Sequence, residues 1–174
     1  GNYKWDEKIA GTGTATDQTF EMGTDAKYDL TSGTVKSDSS TENSFIVPAG
    51  SYPYTVDVNQ TLGEWNVNQV EMKDELIPND KMKYIGYAKV EACEYNANTN
   101  TYDVKGTKWV KIAGLSSFAL KPSDLGWDDK NYAYRFTYYA MPANANFSSA
   151  KVNNKFSLSG NAVKDGAPFD ISNI

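Results

Sequence analysis

The sequence predicts an all-β protein, a β-sandwich or barrel, on three observations. Its 174 residues include 12 Tyr, 7 Phe and 4 Trp beside many Thr, Ser and Asn, and aromatic and β-branched side chains suit a pleated, half-buried surface. Every long apolar segment alternates with a period of two, and none keeps the 3.6 period of a helix. Clusters of Gly, Pro, Asn and Asp separate these segments at the spacing of short strands.

Taken in order, residues 1–44 are rich in Gly, Thr, Ser and Asp, with short apolar pieces such as "TFEM". This part accommodates one or two edge strands and long loops, and "GTVKS" (33–37) is a short strand candidate. In "FIVPAGSYPYTVDVN" (45–59) Pro48 and Gly50 mark a turn, and Tyr54, Val56 and Val58 alternate as a half-buried strand. "WNVNQVEMKDEL" follows, then the turn "IPNDK". "KYIGYAKVEACEY" (83–95) places Gly86, Ala88, Val90 and Ala92 on one face; "NANTNT" is a hairpin tip, and "YDVKGTKWVKIAG" returns. "SSFALKPSDLGWDDKN" is irregular. "YAYRFTYYAMP" (132–142) is the strongest strand, with Tyr134, Phe136 and Tyr138 on one face and Arg135, Thr137 and Tyr139 on the other. "AKVNNKFSLSGNAV" and "APFDISNI" supply the last strands.

Composition excludes several classes of function. The length fits one ordinary domain or two small ones and allows a sizeable core. The net charge of −5, without a basic stripe, argues against a nucleic-acid partner. The absence of histidine removes Ser-His-Asp and Cys-His catalysis and every His-containing zinc site. One cysteine, Cys93, leaves no intramolecular disulfide. No apolar run approaches the roughly 18 residues of a membrane span, and no signal-peptide core is present, so no membrane insertion is expected of this segment. The segment reads as an excerpt of a longer protein.

One acid raises a specific question. Asp74 shares parity with Val70 and Met72, so a strand through it aims a carboxylate at the core, where an unpartnered charge is very costly. Either the strand ends before Asp74, which then caps the turn, or Asp74 has a buried role. Asn154 shares parity with Val152, Phe156 and Leu158 and is expected to point inward. Asn153 is the alternative if the register slips by one. Cys93 shares parity with Lys89 and Glu91 and is expected to be a partly exposed, passive thiol rather than half of a thioester. Asp128, Asp129 and Asn131 lack the spacing of a calcium loop and read as a solvated turn. No metal and no cofactor are expected. The aromatic excess reads as core packing rather than a carbohydrate platform.

The succession "VPAGSYPYTVDVN", "VNQVEMKDELIPNDKMKYIGYAKVEA", "YAYRFTYYAMPANA" and "AKVNNKFSLSG" resembles the collagen-adhesin A-type domains of Gram-positive surface adhesins and pilins, over roughly 34–160. The resemblance implies an immunoglobulin-like antiparallel β-sandwich over 34–174, with 1–33 as an N-terminal extension or edge strand of the same domain. It implies a structural module of a longer chain on the bacterial cell surface, outside the cell, with neighbouring domains of that chain as its partners. The alternative is a domain that grips a host extracellular-matrix protein or a glycan directly. Neither is an enzyme, and no spacing of acids singles out a glycosidase pair.

Many members of the family carry a spontaneous lysine–asparagine isopeptide bond beside a buried acid. By motif match, Asp74 falls on the acid, Asn154 on the asparagine and Lys36 on the lysine, with Lys27 and Lys8 as alternatives. Burial agrees with that chemistry. It lowers a lysine's pKa towards the neutral nucleophile and raises an acid's, so that the acid keeps a proton to stabilise charge on the amide oxygen. Tyr134, Phe136 and Tyr138 are the expected low-dielectric wall. Such a bond forms once per molecule, so it is self-modification rather than turnover.

Overall fold

The computed structural model describes residues 2–4, 12–16, 26–30, 44–58, 65–127, 130–144 and 152–173. The fold is an all-β sandwich with, among the described residues, two short 3-10 turns, at Pro122–Leu125 and Ile171–Asn173. One sheet takes the order β1 (Asn2–Lys4), β5 (Tyr52–Val58), β12 (Ala133–Pro142), β9 (Tyr87–Asn96), β10 (Thr101–Lys111), with β8 (Met82–Tyr84) also paired to β12. The facing sheet runs β11 (Ser117–Leu120), β7 (Glu71–Ile77), β13 (Asn153–Ser159), β2 (Thr12–Thr16). Apart from β1, which lies parallel to β5, the strand pairs of these two sheets are antiparallel.

The period-two pattern explains which side chains meet. Tyr54, Val56 and Val58 of β5, Ala88, Val90 and Ala92 of β9, and Tyr134, Phe136 and Tyr138 of β12 point from one sheet into the core. Met72 and Leu76 of β7 and Phe156 and Leu158 of β13 point from the other. Phe136 and Phe156 meet edge-on across the gap, with ring centroids 5.3 Å apart. Burying each such side chain contributes roughly 1.5–3 kcal/mol. A small sheet of β6 (Trp65–Asn66), β14 (Asn161–Lys164) and β15 (Ala167–Asp170) adds Trp65 and Ala162 to the same core.

The outer face of the larger sheet is not left to solvent throughout. A ribbon of β3 (Ala26–Asp29) and β4 (Ser44–Val47) lays Tyr28 and Phe45 beside Trp109, Tyr87 and Tyr139. Tyr139 has the outward parity of Arg135 and Thr137, yet it is buried by this cover in a second cluster with Val47 and Ile85.

Two expectations from alternation are corrected. Gly86 does not share the buried face of Ala88, Val90 and Ala92. It is exposed, forms the bend between β8 and β9 at φ +51°, and a Cβ there would lie 3.0 Å from the Phe45 ring. Cys93 is buried rather than partly exposed, at 3% accessibility. Parity does place it on the outward face, but Tyr102, Arg135 and Asp57 enclose that spot. The candidate strand 33–37, the alternative Lys8, and Asp128 and Asp129 lie outside the described residues.

Candidate functional site

Asp74 sits in the middle of β7, whose burial alternates so that Met72, Asp74 and Leu76 face inward. It is therefore not a strand-end cap. β13 alternates in the same way and turns Asn154 inward, while Asn153 takes the other face. The two strands pair with Asn154 opposite Leu76 and Asp74 opposite Phe156, so the acid and the amide sit one diagonal step apart on the same face. Asp74 is 0% and Asn154 1% exposed.

At that step the side chains touch. Asn154 Nδ2 donates to Asp74 Oδ2 at 2.6 Å. From the opposing sheet, the Tyr138 hydroxyl lies 2.6 Å from Asp74 Oδ1 and 2.8 Å from Asn154 Oδ1. The Tyr84 hydroxyl donates to Asp74 Oδ2 at 2.5 Å. Rings wall the cluster: Phe118 packs edge-on against both Tyr84 and Tyr138, with centroids 5.1 and 5.3 Å away, and Tyr54 stacks on Tyr138 at 5.5 Å.

Burial in this wall pushes the Asp74 carboxyl up to about 7, although the hydrogen bonds from Tyr138, Tyr84 and Asn154 pull the other way. Burial, followed by the nearby Asp74, pushes both the Tyr84 and Tyr138 hydroxyls far above the ordinary phenol range, so both remain proton donors. The site offers a carboxyl able to hold a proton near neutrality, a primary amide whose carbonyl faces a phenol, and a water-poor setting. Those features polarise an amide carbonyl. Among the described residues, no amine nucleophile stands beside the amide.

Among the described residues, no lysine is a hydrogen-bond or charge partner of Asp74 or Asn154. Lys36 lies outside the described residues. Lys27 lies on β3, paired opposite Ile46 in the ribbon over the larger sheet. The strand next to Asn154 on the side away from β7 is β2, whose sequence TGTAT contains no lysine and puts Ala15 opposite Asn154.

Alternation puts Tyr138 in an apolar wall and does not single out Tyr84. The usable signal was chemical: a buried tyrosine generally seeks a partner for its hydroxyl, and an inward acid is the obvious one. Elsewhere, burial pushes the Cys93 thiol up to about 11, which keeps it protonated and unreactive near neutral pH. Among the described residues no group of three acids or cysteines is placed to hold a metal ion.

The chain matches no family model and no curated protein. Among solved structures it is similar to a chain of "Structure of deformed wing virus carrying the GFP gene", at 12% identity and a TM-score of 0.36. That match covers 92% of this chain, which spans about half, 47%, of the viral one. A likeness of that size assigns neither family nor activity.

Proposed function

We propose that this chain is a structural module of a bacterial cell-surface adhesin or pilus-like protein, one sandwich in a series that holds a distal binding domain away from the cell. The observation that supports the reading is the buried contact between Asp74 and Asn154. An apolar core has no need of an acid and an amide at its centre, and burying them is costly unless they are matched. Direct gripping of a host protein or glycan has less behind it. Among the described residues, the exposed large apolar side chains Ile46, Ile77, Val104, Leu115 and Val163 belong to separate strands and a loop, without an aromatic among them.

In the finer form of the proposal, Lys36 supplies the amine. Its neutral nitrogen attacks the Asn154 carbonyl carbon, the carbon–nitrogen bond to the amide nitrogen breaks, and ammonia leaves while Asp74 and Tyr138 hold the carbonyl oxygen and the departing proton. The intact mass of the purified protein tests this. Loss of one ammonia, abolished in Asn154→Ala, is the expected result, and the full sequence mass removes the crosslink. Pulling on the two ends tests the load-bearing role: with the crosslink, the segment 36–154 stays closed at forces that extend the rest. Release of the whole chain at low force would overturn that role.

A further inference from the structure

We infer that folding traps one proton on the Asp74 carboxyl, closing a hydrogen-bond ring with Tyr138 and Asn154 that fastens the two sheets and is broken when that proton is lost. The cluster contains four short contacts: Tyr84 to Asp74, Tyr138 to Asp74, Tyr138 to Asn154, and Asn154 to Asp74. Each contact needs its own proton, because two oxygens at these distances repel without one. With Asp74 ionised, the Tyr84 hydroxyl, the Tyr138 hydroxyl and one Asn154 N–H supply only three. A tyrosine has a single hydroxyl proton, so Tyr138 serves either Asp74 or Asn154 and leaves the other contact bare.

A protonated Asp74 completes the set. Its Oδ1–H donates to the Tyr138 oxygen, the Tyr138 O–H donates to Asn154 Oδ1, and Asn154 N–H donates to Asp74 Oδ2, which also accepts from Tyr84. Reversing the Asn154 amide reverses the ring and still demands the acid proton, so the conclusion does not depend on which amide atom is nitrogen. The ring joins β7 and β13 of one sheet to β12 of the other.

Among the described residues the ionised form has hydrogen-bond donors but no cation beside it. β8 presents Tyr84, β12 presents Tyr138 and β5 presents Tyr54 behind it. β11 and β13 place Phe118 and Phe156 opposite Asp74. Among the described residues the other charge acting on Asp74 is Glu75, which has the same sign, and β2 carries no titratable residue in Thr12–Thr16. The rise of the carboxyl to about 7 by burial accords with the count.

The sign follows from linkage. In the unfolded chain the acid ionises in the ordinary carboxyl range, about 3.9, whereas the folded protein keeps its proton to about 7. Between those values the folded state binds more protons, so this group's contribution to stability falls as pH rises through the window and is level above it.

Asp74→Asn separates this from the effects of all other carboxyls. Its carboxamide reproduces the protonated acid, with N–H towards Tyr138 and oxygen towards Asn154 and Tyr84. Urea unfolding of wild type and Asp74→Asn should give similar stability near pH 5. Near pH 8 the wild-type unfolding constant should have risen roughly a hundredfold relative to the variant. Infrared spectra of the wild type near pH 5 should contain a buried protonated-carboxyl band that fades by about pH 9. Parallel pH curves for the two proteins overturn the inference, and so does the absence of that band, which needs no variant to fold. The inference does not require Lys36, so an unshifted intact mass leaves it standing.

Discussion

Among the described residues, two acids are withdrawn from water and are stabilised by opposite means. Asp57, on β5, lies opposite Arg135 on β12, and the guanidinium meets its two oxygens at 2.7 and 3.5 Å. Asp74 is met, among the described residues, by two phenols and an amide rather than by a cation. Asp57 is on the outward face, where the Arg135 side chain stays 41% exposed, so both charges keep some water. Asp74 is 0% exposed, and a neutral acid there is cheaper than an ion pair that would need full desolvation. Position relative to the sheet decides which solution is used.

That contrast can be broken most severely by Asp74→Ala. It leaves two phenols and an amide unpaired around a small cavity, and should cost about 3–5 kcal/mol, measured by urea unfolding near pH 6. A loss below about 1 kcal/mol would mean that water or a rearranged core replaces the carboxyl. Tyr138→Phe removes the hydroxyl that touches both Asp74 and Asn154 and should cost about 2–3 kcal/mol, against about 1–2 kcal/mol for Tyr84→Phe, which loses one contact. Equal losses would place the ring's strength elsewhere.

Asp57→Asn tests the other acid. The pair is part-exposed, so the loss should be at most about 1 kcal/mol and should shrink further in high salt. Stability changes from the Asp74 cluster should be nearly indifferent to salt, and a matching salt dependence would erase the distinction. The smallest effect concerns Cys93, which lies against Asp57 and Arg135. Its thiol should react with a maleimide far more slowly in the folded protein than in urea at the same pH. Equal rates would show that the enclosure opens readily.

Much of this architecture was legible in the sequence because the side-chain period of a strand is local information. Parity alone separated Tyr134, Phe136 and Tyr138 from Arg135 and Thr137, and placed Asp74 and Asn154 inward. Parity says which face a residue takes, but not what covers that face. Cys93 and Tyr139 took the outward face and were buried nonetheless, the first by neighbouring side chains of its own sheet and the second by the β3–β4 ribbon.

The site divides in the same way. Residue type and alternation determined that an acid and an amide would enter the core. Only the tertiary structure decided that they meet, since Asp74 and Asn154 are 80 positions apart and Tyr138 is 64 from Asp74. It also decided that Tyr84 joins them, although Tyr84 is only 10 positions from Asp74. The protonation of Asp74 belongs to that second category for a physical reason. A carboxyl's affinity for its proton is set by the dielectric and the donors around it. At Asp74 those are contributed by strands β5, β7, β8, β11, β12 and β13, which become neighbours only when the two sheets close.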